Sequence, residues 1–214
     1  MRMKTSPLWR FALCLALLGL GLELGLQPGT ARAGGYGGYL EGDLTFAKLK
    51  DGDLHRDFDA MMGGLGLLYD GNIAGNELLN YRLAFGYRLG RRIIDGQRNE
   101  TVNGLTFDQT LGFGLLRNSR IRIWGGPALR IDVDWYSSSG DRDIVDVSIG
   151  VGPRVGINYH LNDRISLTTS VAYHLMYLSE NIESNGANET FDGPQHIVGL
   201  RVGVLWRGED DLWK

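Results

Sequence analysis

The sequence predicts an all-β protein, an eight-stranded antiparallel up-and-down transmembrane β-barrel, and three observations support this fold class. Apolar and polar residues alternate along eight segments, most clearly over residues 120–135. No helical periodicity lies between these segments, and after residue 33 no run approaches the ~20 apolar residues of a membrane-spanning helix. Long and short polar links also alternate between the segments, as they do when strands run up and down through a bilayer.

Residues 1–33 have the features of a secretory signal peptide. A basic start precedes an apolar stretch at 11–22, and residues 31–33 match an A-x-A cleavage site. Cys14 lies within this segment, so the mature chain has no cysteine and forms no disulfide. Residues 1–33 hold four of the 22 bases and one of the 25 acids, which leaves a net charge of −6 on the mature chain. This charge argues against a nucleic acid partner.

The clearest strand, 120–135, is much longer than the mean of about 5–6 residues in soluble domains. One of its faces is apolar and the other is charged, which indicates a different solvent on each side. We predict that the barrel occupies residues 34–206 and that 207–214 form a short tail. The candidate strands lie at 39–46, 61–69, 79–89, 105–115, 120–135, 145–160, 165–178 and 198–206.

The links between these strands predict which end of the barrel faces outward. Links of one set are long and polar, and links of the other set are shorter. Outer-membrane barrels combine long external loops with short periplasmic turns, so we expect four external loops. The long links are 49–59, 90–103, 137–142 and 179–193, and the short ones are 70–76, 117–119 and 161–164.

The polar face of the strands carries charges of both signs. Eight strands enclose an interior that side chains just fill, and buried charges must be paired. We therefore expect an Arg–carboxylate ladder that plugs the lumen, with a narrow gated path for ions or water as the alternative. The lumen set is Glu41, Asp43, Arg82, Arg88, Asp108, Arg122, Arg130, Asp132, Asp146, Arg154 and Arg201, with Asp134 on the same face.

The apolar face carries many aromatic residues, several of them towards strand ends. Such residues form belts at the two membrane interfaces. A soluble lipocalin-like barrel with its apolar face inward is the alternative, but the many glycines on the polar face suit a crowded interior better than a wet surface. The predicted interface aromatics are Tyr69, Tyr81, Tyr87, Trp135, Tyr159, Tyr173, Tyr177 and Trp206.

In this pattern the chain resembles the small eight-stranded outer-membrane barrels of Gram-negative bacteria, the OmpA/OmpX/opacity-type group, over residues 36–206. Its segment 199–206 is similar to the terminal strand of that group, which ends in an aromatic residue read by the barrel-insertion machinery. Here 207–214 follow, so Trp206 and Trp213 are both candidates for that signal. The resemblance implies export to the outer membrane and contact with its lipids and lipopolysaccharide. We also expect a monomer.

Catalysis and metal binding have little support in the sequence. A lipid-modifying enzyme of this size needs a histidine close to a serine. His174 and Ser170 share the predicted lumen face, but four strand residues separate them by about 13 Å. We assign His160 to the polar plug. The acids around His55 do not follow a recognised Ca²⁺-loop spacing, so we expect no enzyme activity, no metal and no cofactor.

The expected role is therefore structural, or one of adhesion and recognition through the four external loops. Binding usually resides on loops that a rigid frame holds in place. Three alternatives remain: a narrow porin-like channel, an outer-membrane lipid-modifying enzyme, and a soluble lipocalin-like barrel.

Overall fold

The computed structural model describes residues 34–52, 54–71, 78–94, 98–138, 142–184 and 187–207. Eight strands follow one another along this part of the chain, each pairs antiparallel with the next, and β8 pairs with β1 to close the barrel. The predicted fold class is thus confirmed. The strands are β1 (Gly35–Asp51), β2 (Leu54–Asp70), β3 (Leu79–Ile94), β4 (Arg98–Arg117), β5 (Ile121–Ser138), β6 (Arg142–His160), β7 (Ile165–Ser184) and β8 (Ala187–Arg207).

Two predicted segments fall largely outside the described residues. The predicted signal peptide, 1–33, is one, and 208–214 of the predicted tail is the other. Arg207, which we placed in the tail, is the last residue of β8. No helix among the described residues is long and apolar enough to cross a membrane.

The register of the strands fixes the tilt and length of the barrel. Paired residues followed once around the barrel lead from Tyr36 back to β1 at Phe46, ten residues further along. For eight strands at ordinary spacing this shift corresponds to a tilt of about 40°. Each residue then rises about 2.5 Å along the axis, so strands of 16 to 21 residues span about 40–50 Å. The apolar band of an outer-membrane barrel is only about 25 Å tall.

The side-chain pattern inverts along each strand. Over most of β1, apolar residues such as Leu40 and Leu44 point outward, whereas Glu41 and Asp43 point into the lumen. Towards the end of β1 farthest from Gly35, Leu49 is fully buried inside the barrel, and its neighbours along the strand are exposed lysines. We call the end where β1 begins and β8 ends the lower end, and the opposite end the upper end.

An apolar core fills the barrel at its upper end. Its residues come from every strand and face inward, as they do in a soluble protein. We call this set the upper cluster; its members are Ala47, Leu49, Phe58, Met62, Ile94, Val102, Tyr136, Ile144, Leu178, Ile182 and Phe191.

The four long external links that we predicted are wrong, because strands occupy most of them. The strands leave only residues 52–53, 95–97, 139–141 and 185–186 between them at the upper end. Within the predicted links, polar residues alternate with inward-facing members of the upper cluster such as Leu49 and Phe58. The strand period therefore continues there with its polarity reversed. Gly52 has φ +60°, a left-handed conformation that favours glycine in a tight connection.

At the lower end, two asparagines organise tight turns. Asn118 Oδ1 accepts hydrogen bonds from the backbone N–H groups of Arg120 and Ile121, at 2.9 and 2.7 Å. Asn162 Oδ1 does the same for Arg164 and Ile165, at 2.9 and 2.8 Å. These side-chain caps turn the chain with few residues.

Two prolines interrupt the ladder on the lipid-facing side. Pro127 of β5 lies directly opposite Pro153 of β6. Pairing lapses beside each proline, between β4 and β5 next to Pro127 and between β6 and β7 next to Pro153. A proline has no N–H to donate to the neighbouring strand, so each removes one ladder hydrogen bond.

Candidate functional site

The predicted interface aromatics all point away from the lumen, in two groups. A lower group lies near the lower end of its strands: Tyr69, Tyr81, Tyr159 and Trp206, with Tyr36 beside them. Trp135 and Tyr177 lie about 25 Å higher when positions are counted along the register. Tyr36 was missed because it precedes the first segment with clear alternation.

Tyr87 and Tyr173 lie between these two groups, below Trp135 and Tyr177 on the outer wall. Tyr87 OH donates to Asn103 Oδ1 at 2.6 Å, and its ring lies 6.4 Å from that of Trp135. Tyr173 OH is hydrogen-bonded to His196 Nδ1 at 2.7 Å. Both phenols therefore have polar partners on the outer face of the barrel.

Between the two aromatic groups the outer wall is apolar and exposed. Leu40 is 67% exposed, Leu65 62% and Leu200 51%. Contiguous apolar surface of this extent on a protein marks contact with lipid or a partner. This polarity is the reverse of that in a lipocalin-like barrel, whose apolar face is inside.

All eleven residues of the predicted lumen set are buried inside the barrel. Arg130 lies at their centre. Its Nη2 is 2.6 Å from Asp43 Oδ2 and 3.2 Å from Glu41 Oε1, and its Nε is 3.0 Å from Asp132 Oδ1. One guanidinium thus contacts three carboxylates from two strands through Nε and Nη2.

Shared carboxylates extend this cluster upward and downward. Above Arg130, Asp132 Oδ2 is 2.6 Å from Arg88 Nη1. Arg88 Nε in turn is 3.1 Å from Asp134 Oδ1. Below Arg130, Glu41 Oε2 accepts from Arg201 Nε at 2.9 Å.

Asp108 continues the chain of contacts at the same depth. Its Oδ2 lies 2.5 Å from Arg154 Nη2 and 3.6 Å from Arg201 Nη2. The Arg201 guanidinium also lies 4.3 Å from the centre of the Tyr39 ring. Each shared carboxylate joins two arginines, so these ion pairs form one connected ladder across strands that are distant in sequence.

The lowest described pairs surround Trp124. The Arg82 guanidinium lies 4.0 Å from the centre of the Trp124 ring and 3.4 Å from Asp70 Oδ2. It also donates to Thr168 Oγ1 at 2.9 Å, and the Trp124 indole donates to Asn158 Oδ1 at 3.3 Å. Asp70 was missed because we placed it in a short link.

The highest pairs lie within the upper cluster. Arg92 contacts Asp146, lies 3.2 Å from Glu180 Oε1, and is 3.8 Å from the centre of the Phe58 ring. Arg56 Nη1 is 3.0 Å from Glu180 Oε2. We missed Arg92 and Glu180 because their segments were assigned to external loops. Arg92 follows Arg88 by four residues, which keeps it on the same strand face, and this spacing was a usable signal.

One histidine–serine contact also escaped sequence reasoning. His160 Nδ1 lies 2.8 Å from Ser166 Oγ, because β6 and β7 place these residues opposite each other. Ser166 is fully buried, so its hydroxyl is not exposed to an ester substrate. Within the described ranges, no group of three or more His, Cys, Asp or Glu residues is arranged to hold a metal ion.

Solved structures share this fold. The crystal structure of the outer membrane protein OprG from Pseudomonas aeruginosa is similar over 84% of this chain and 99% of its own, with a TM-score of 0.58 and 12% identity. The solid-state NMR structure of the outer membrane protein AlkL in DMPC bilayers is similar over 82% and 92%, with a TM-score of 0.50 and 12% identity. No protein-family model and no curated protein sequence matches the chain.

The closed ring of strands, the exposed apolar wall and the charged lumen define the class: this chain is an eight-stranded β-barrel with the fold of outer-membrane proteins. The likeness to small outer-membrane barrels that the sequence pattern indicated is confirmed. At 12% identity this likeness concerns the fold.

Proposed function

We propose that this protein is a closed barrel that holds a rigid recognition surface above the outer membrane. The observation that carries the proposal is that paired charges and an apolar core occupy the lumen. The connected ion-pair ladder occupies the membrane section, and the upper cluster occupies the section above it. The strands end close to the lower aromatics but continue well above the upper ones. Outer-membrane barrels extend farther on the external side than on the periplasmic side, so in this proposal the lower end faces the periplasm.

The raised wall of the barrel, rather than long loops, supplies the surface for recognition. The strands continue about 8 Å above Trp135 on β5 and about 18 Å above Tyr177 on β7, at 2.5 Å per residue. The outer face of this section is polar and carries both signs of charge, with Lys48, Lys50 and Arg91 near Asp57 and Asp59. The upper cluster packs this section from inside, so the wall is presented on a stiff frame.

Lipopolysaccharide is the partner that this position favours. The charged wall begins where the apolar wall ends, at the level of lipid headgroups, and exposed lysines attract phosphate groups. In this proposal the barrel is inserted as a monomer by the barrel-insertion machinery. Adhesion to a second cell would use the same wall above the headgroups.

Conductance in planar bilayers tests whether the barrel is closed. We expect no channel events from the wild type and none from Arg130→Ala, because the upper cluster remains in place above the altered ladder. The control is Arg91→Ala, which removes an exposed arginine from the outer face. Discrete conductance steps in the wild type that change in Arg130→Ala would establish the porin-like alternative instead.

Binding of lipopolysaccharide tests the recognition surface. The barrel is refolded in maltoside micelles and its thermal midpoint is followed while purified lipopolysaccharide is added. We expect the midpoint to rise in the wild type and to rise much less in the double variant Lys48→Gln, Lys50→Gln. Thr101→Gln, also exposed above the apolar wall, is the control. Equal responses in all three proteins would contradict this partner.

A further inference from the structure

Charge is distributed unevenly along the lumen, a feature that the proposed surface role neither uses nor requires. Among inward-facing described residues, the lower lumen, up to the level of Glu41 and Asp108, holds six arginines and three carboxylates. Above it and below the rim there are four arginines and six carboxylates. The lower set is Arg82, Arg117, Arg122, Arg154, Arg201 and Arg207 with Glu41, Asp70 and Asp108. The upper set is Arg56, Arg88, Arg92 and Arg130 with Asp43, Glu100, Asp132, Asp134, Asp146 and Glu180.

A β-bulge adds to the positive charge at the lower mouth. The register between β4 and β5 shifts between Gly114 and Leu116, and as a result Arg117 pairs directly with Arg122. Without the shift, the strand alternation would turn Arg117 to the outer face. Like charges directly opposite each other destabilise a sheet, and bulges that re-aim a side chain are frequent beside functional sites. The bulge therefore places two arginines side by side at the lower mouth.

Two buried side chains of the lower lumen have polar atoms without a hydrogen-bond partner. In the lower lumen, Asn80 is 1% exposed and its side-chain amide has no hydrogen-bond partner among the described residues. Arg154 is 5% exposed, and its Nε has no hydrogen-bond partner there either. In the upper lumen, the corresponding atoms include a donor, Arg92 Nε, and several acceptors: Asp43 Oδ1, Asp146 Oδ1 and Gln195 Oε1. Asn80 lies two residues below Arg82 on the inward face of β3. Asn80 Nδ2 and Arg154 Nε are therefore donors without a partner in the section where positive charge is in excess.

We propose that the lower lumen is a binding site for a phosphate-bearing anion that enters from the lower mouth. Guanidinium forks bind phosphate oxygens in pairs, and an excess of three positive charges matches a multiply charged anion. Arg117, Arg120 and Arg164 are exposed at the mouth and concentrate anions there. The Arg82–Trp124 stack and Asn80 lie on the inward face above the mouth. The phosphate group belongs either to a lipid headgroup or to a soluble molecule.

Titration of the refolded mature chain in maltoside micelles tests the site. The probes are inorganic phosphate and pyrophosphate, with chloride at equal ionic strength as reference, and the readouts are the thermal midpoint and tryptophan fluorescence. We expect both phosphates to raise the midpoint and chloride not to do so. A fluorescence change that disappears in Trp124→Phe would locate the anion beside the Arg82–Trp124 stack.

A second arm uses nanodiscs of a phosphate-free galactolipid with and without phosphatidic acid. Stabilisation by phosphatidic acid alone assigns the site to a lipid headgroup, and stabilisation by the free phosphates assigns it to soluble molecules. Either result supports the proposal. Phosphate effects that equal those of chloride, together with no effect of phosphatidic acid, would overturn it.

Two variants separate binding from folding. Asn80→Asp introduces a carboxylate of the same size among the arginines, so we expect a higher midpoint without phosphate and a phosphate affinity at least about tenfold weaker. Arg122→Gln should also weaken the affinity about tenfold, and it remains informative if Asn80→Asp does not refold. Arg91→Gln, on the outer face of β3, should bind as the wild type does. Unchanged phosphate binding in both lumen variants would contradict the site.

Discussion

The membrane section and the raised section of this barrel are built from the same eight strands with opposite polarity. In the membrane section apolar residues face lipid and charges face the lumen, as Leu44 and Asp43 do. In the raised section Lys48 faces out and Leu49 faces in. The backbone does not change between them, because the strand pairing continues through both. The solvent outside the barrel therefore decides which face is apolar, and the lumen takes the complementary residues.

The two sections also differ in what holds their interiors together. In the membrane section, shared carboxylates each contact two arginines. The loss of one partner therefore leaves several buried charges with fewer counterions. The raised section depends mainly on apolar packing, in which the loss of one side chain leaves a cavity but no unpaired charge. This contrast predicts different responses to substitution.

The largest effect is expected for Arg130→Ala in the membrane section. The substitution leaves Glu41, Asp43 and Asp132 without their shared cation, and breaking a buried ion pair in this way costs about 3–5 kcal/mol. The free energy of unfolding can be measured by urea titration in micelles. Arg91→Ala, an exposed arginine, is the control and should change it by less than about 0.5 kcal/mol. Similar small losses in both variants would show that the ladder is not a unit.

A smaller effect is expected for Leu178→Ala in the upper cluster. Leu178 is 1% exposed, and a leucine-to-alanine change in a packed core costs about 2–5 kcal/mol. Amide hydrogen exchange should show faster opening of the raised section and little change around Arg130. Leu175→Ala, three residues below on the lipid-facing side, should leave exchange in the raised section unchanged. Uniformly faster exchange through both sections would contradict their separate packing.

The outer faces of the two sections should respond differently to a new charge. Leu200→Arg places a guanidinium near the middle of the apolar wall, where it costs about 2–4 kcal/mol. Thr101→Arg, on the polar outer face of the raised section, should change the free energy of unfolding by less than about 0.5 kcal/mol. The free energies of unfolding of the two variants can be measured in lipid vesicles. Equal costs would place Thr101 in lipid as well.

The smallest effect concerns the ladder beside Pro127. Pro127→Val restores a backbone donor towards β4, and one ladder hydrogen bond contributes about 1 kcal/mol. We expect a slight gain in the free energy of unfolding and slower amide exchange between β4 and β5. A loss of stability would mean that the strands diverge there for reasons other than the missing donor.

The sequence was sufficient for the fold but not for the height of the barrel. Strict alternation identified eight strands because a period of two places every second residue on the same face of a strand. The upper strand ends were read as loops because alternation was assumed to keep one polarity. Adjacent apolar residues mark the reversal, since one faces lipid and the next faces the upper cluster. Such pairs are Phe46-Ala47, Met61-Met62, Ile93-Ile94, Trp135-Tyr136, Ile144-Val145 and Tyr177-Leu178.

The partners within the lumen lay beyond sequence reasoning for a different reason. Alternation assigns a residue to a face, but the register between strands decides which residues share a level. Glu41 and Arg201 are 160 residues apart and meet only because β1 closes on β8. Arg117 turns inward only because of a bulge, which alternation does not predict. The charged residues of the lumen face therefore predicted that ion pairs form, but not which residues pair with each other.

Site-directed labelling along β1 tests the inversion of polarity most directly. The chain after residue 33 contains no cysteine, so single cysteines at Leu44, Phe46, Lys48 and Lys50 can each carry a fluorophore in vesicles. Lipid-borne quenchers should quench the labels at Leu44 and Phe46, and water-soluble quenchers should quench those at Lys48 and Lys50. Lipid quenching that continues unchanged to Lys50 would contradict the account, because β1 would then face lipid over its whole length.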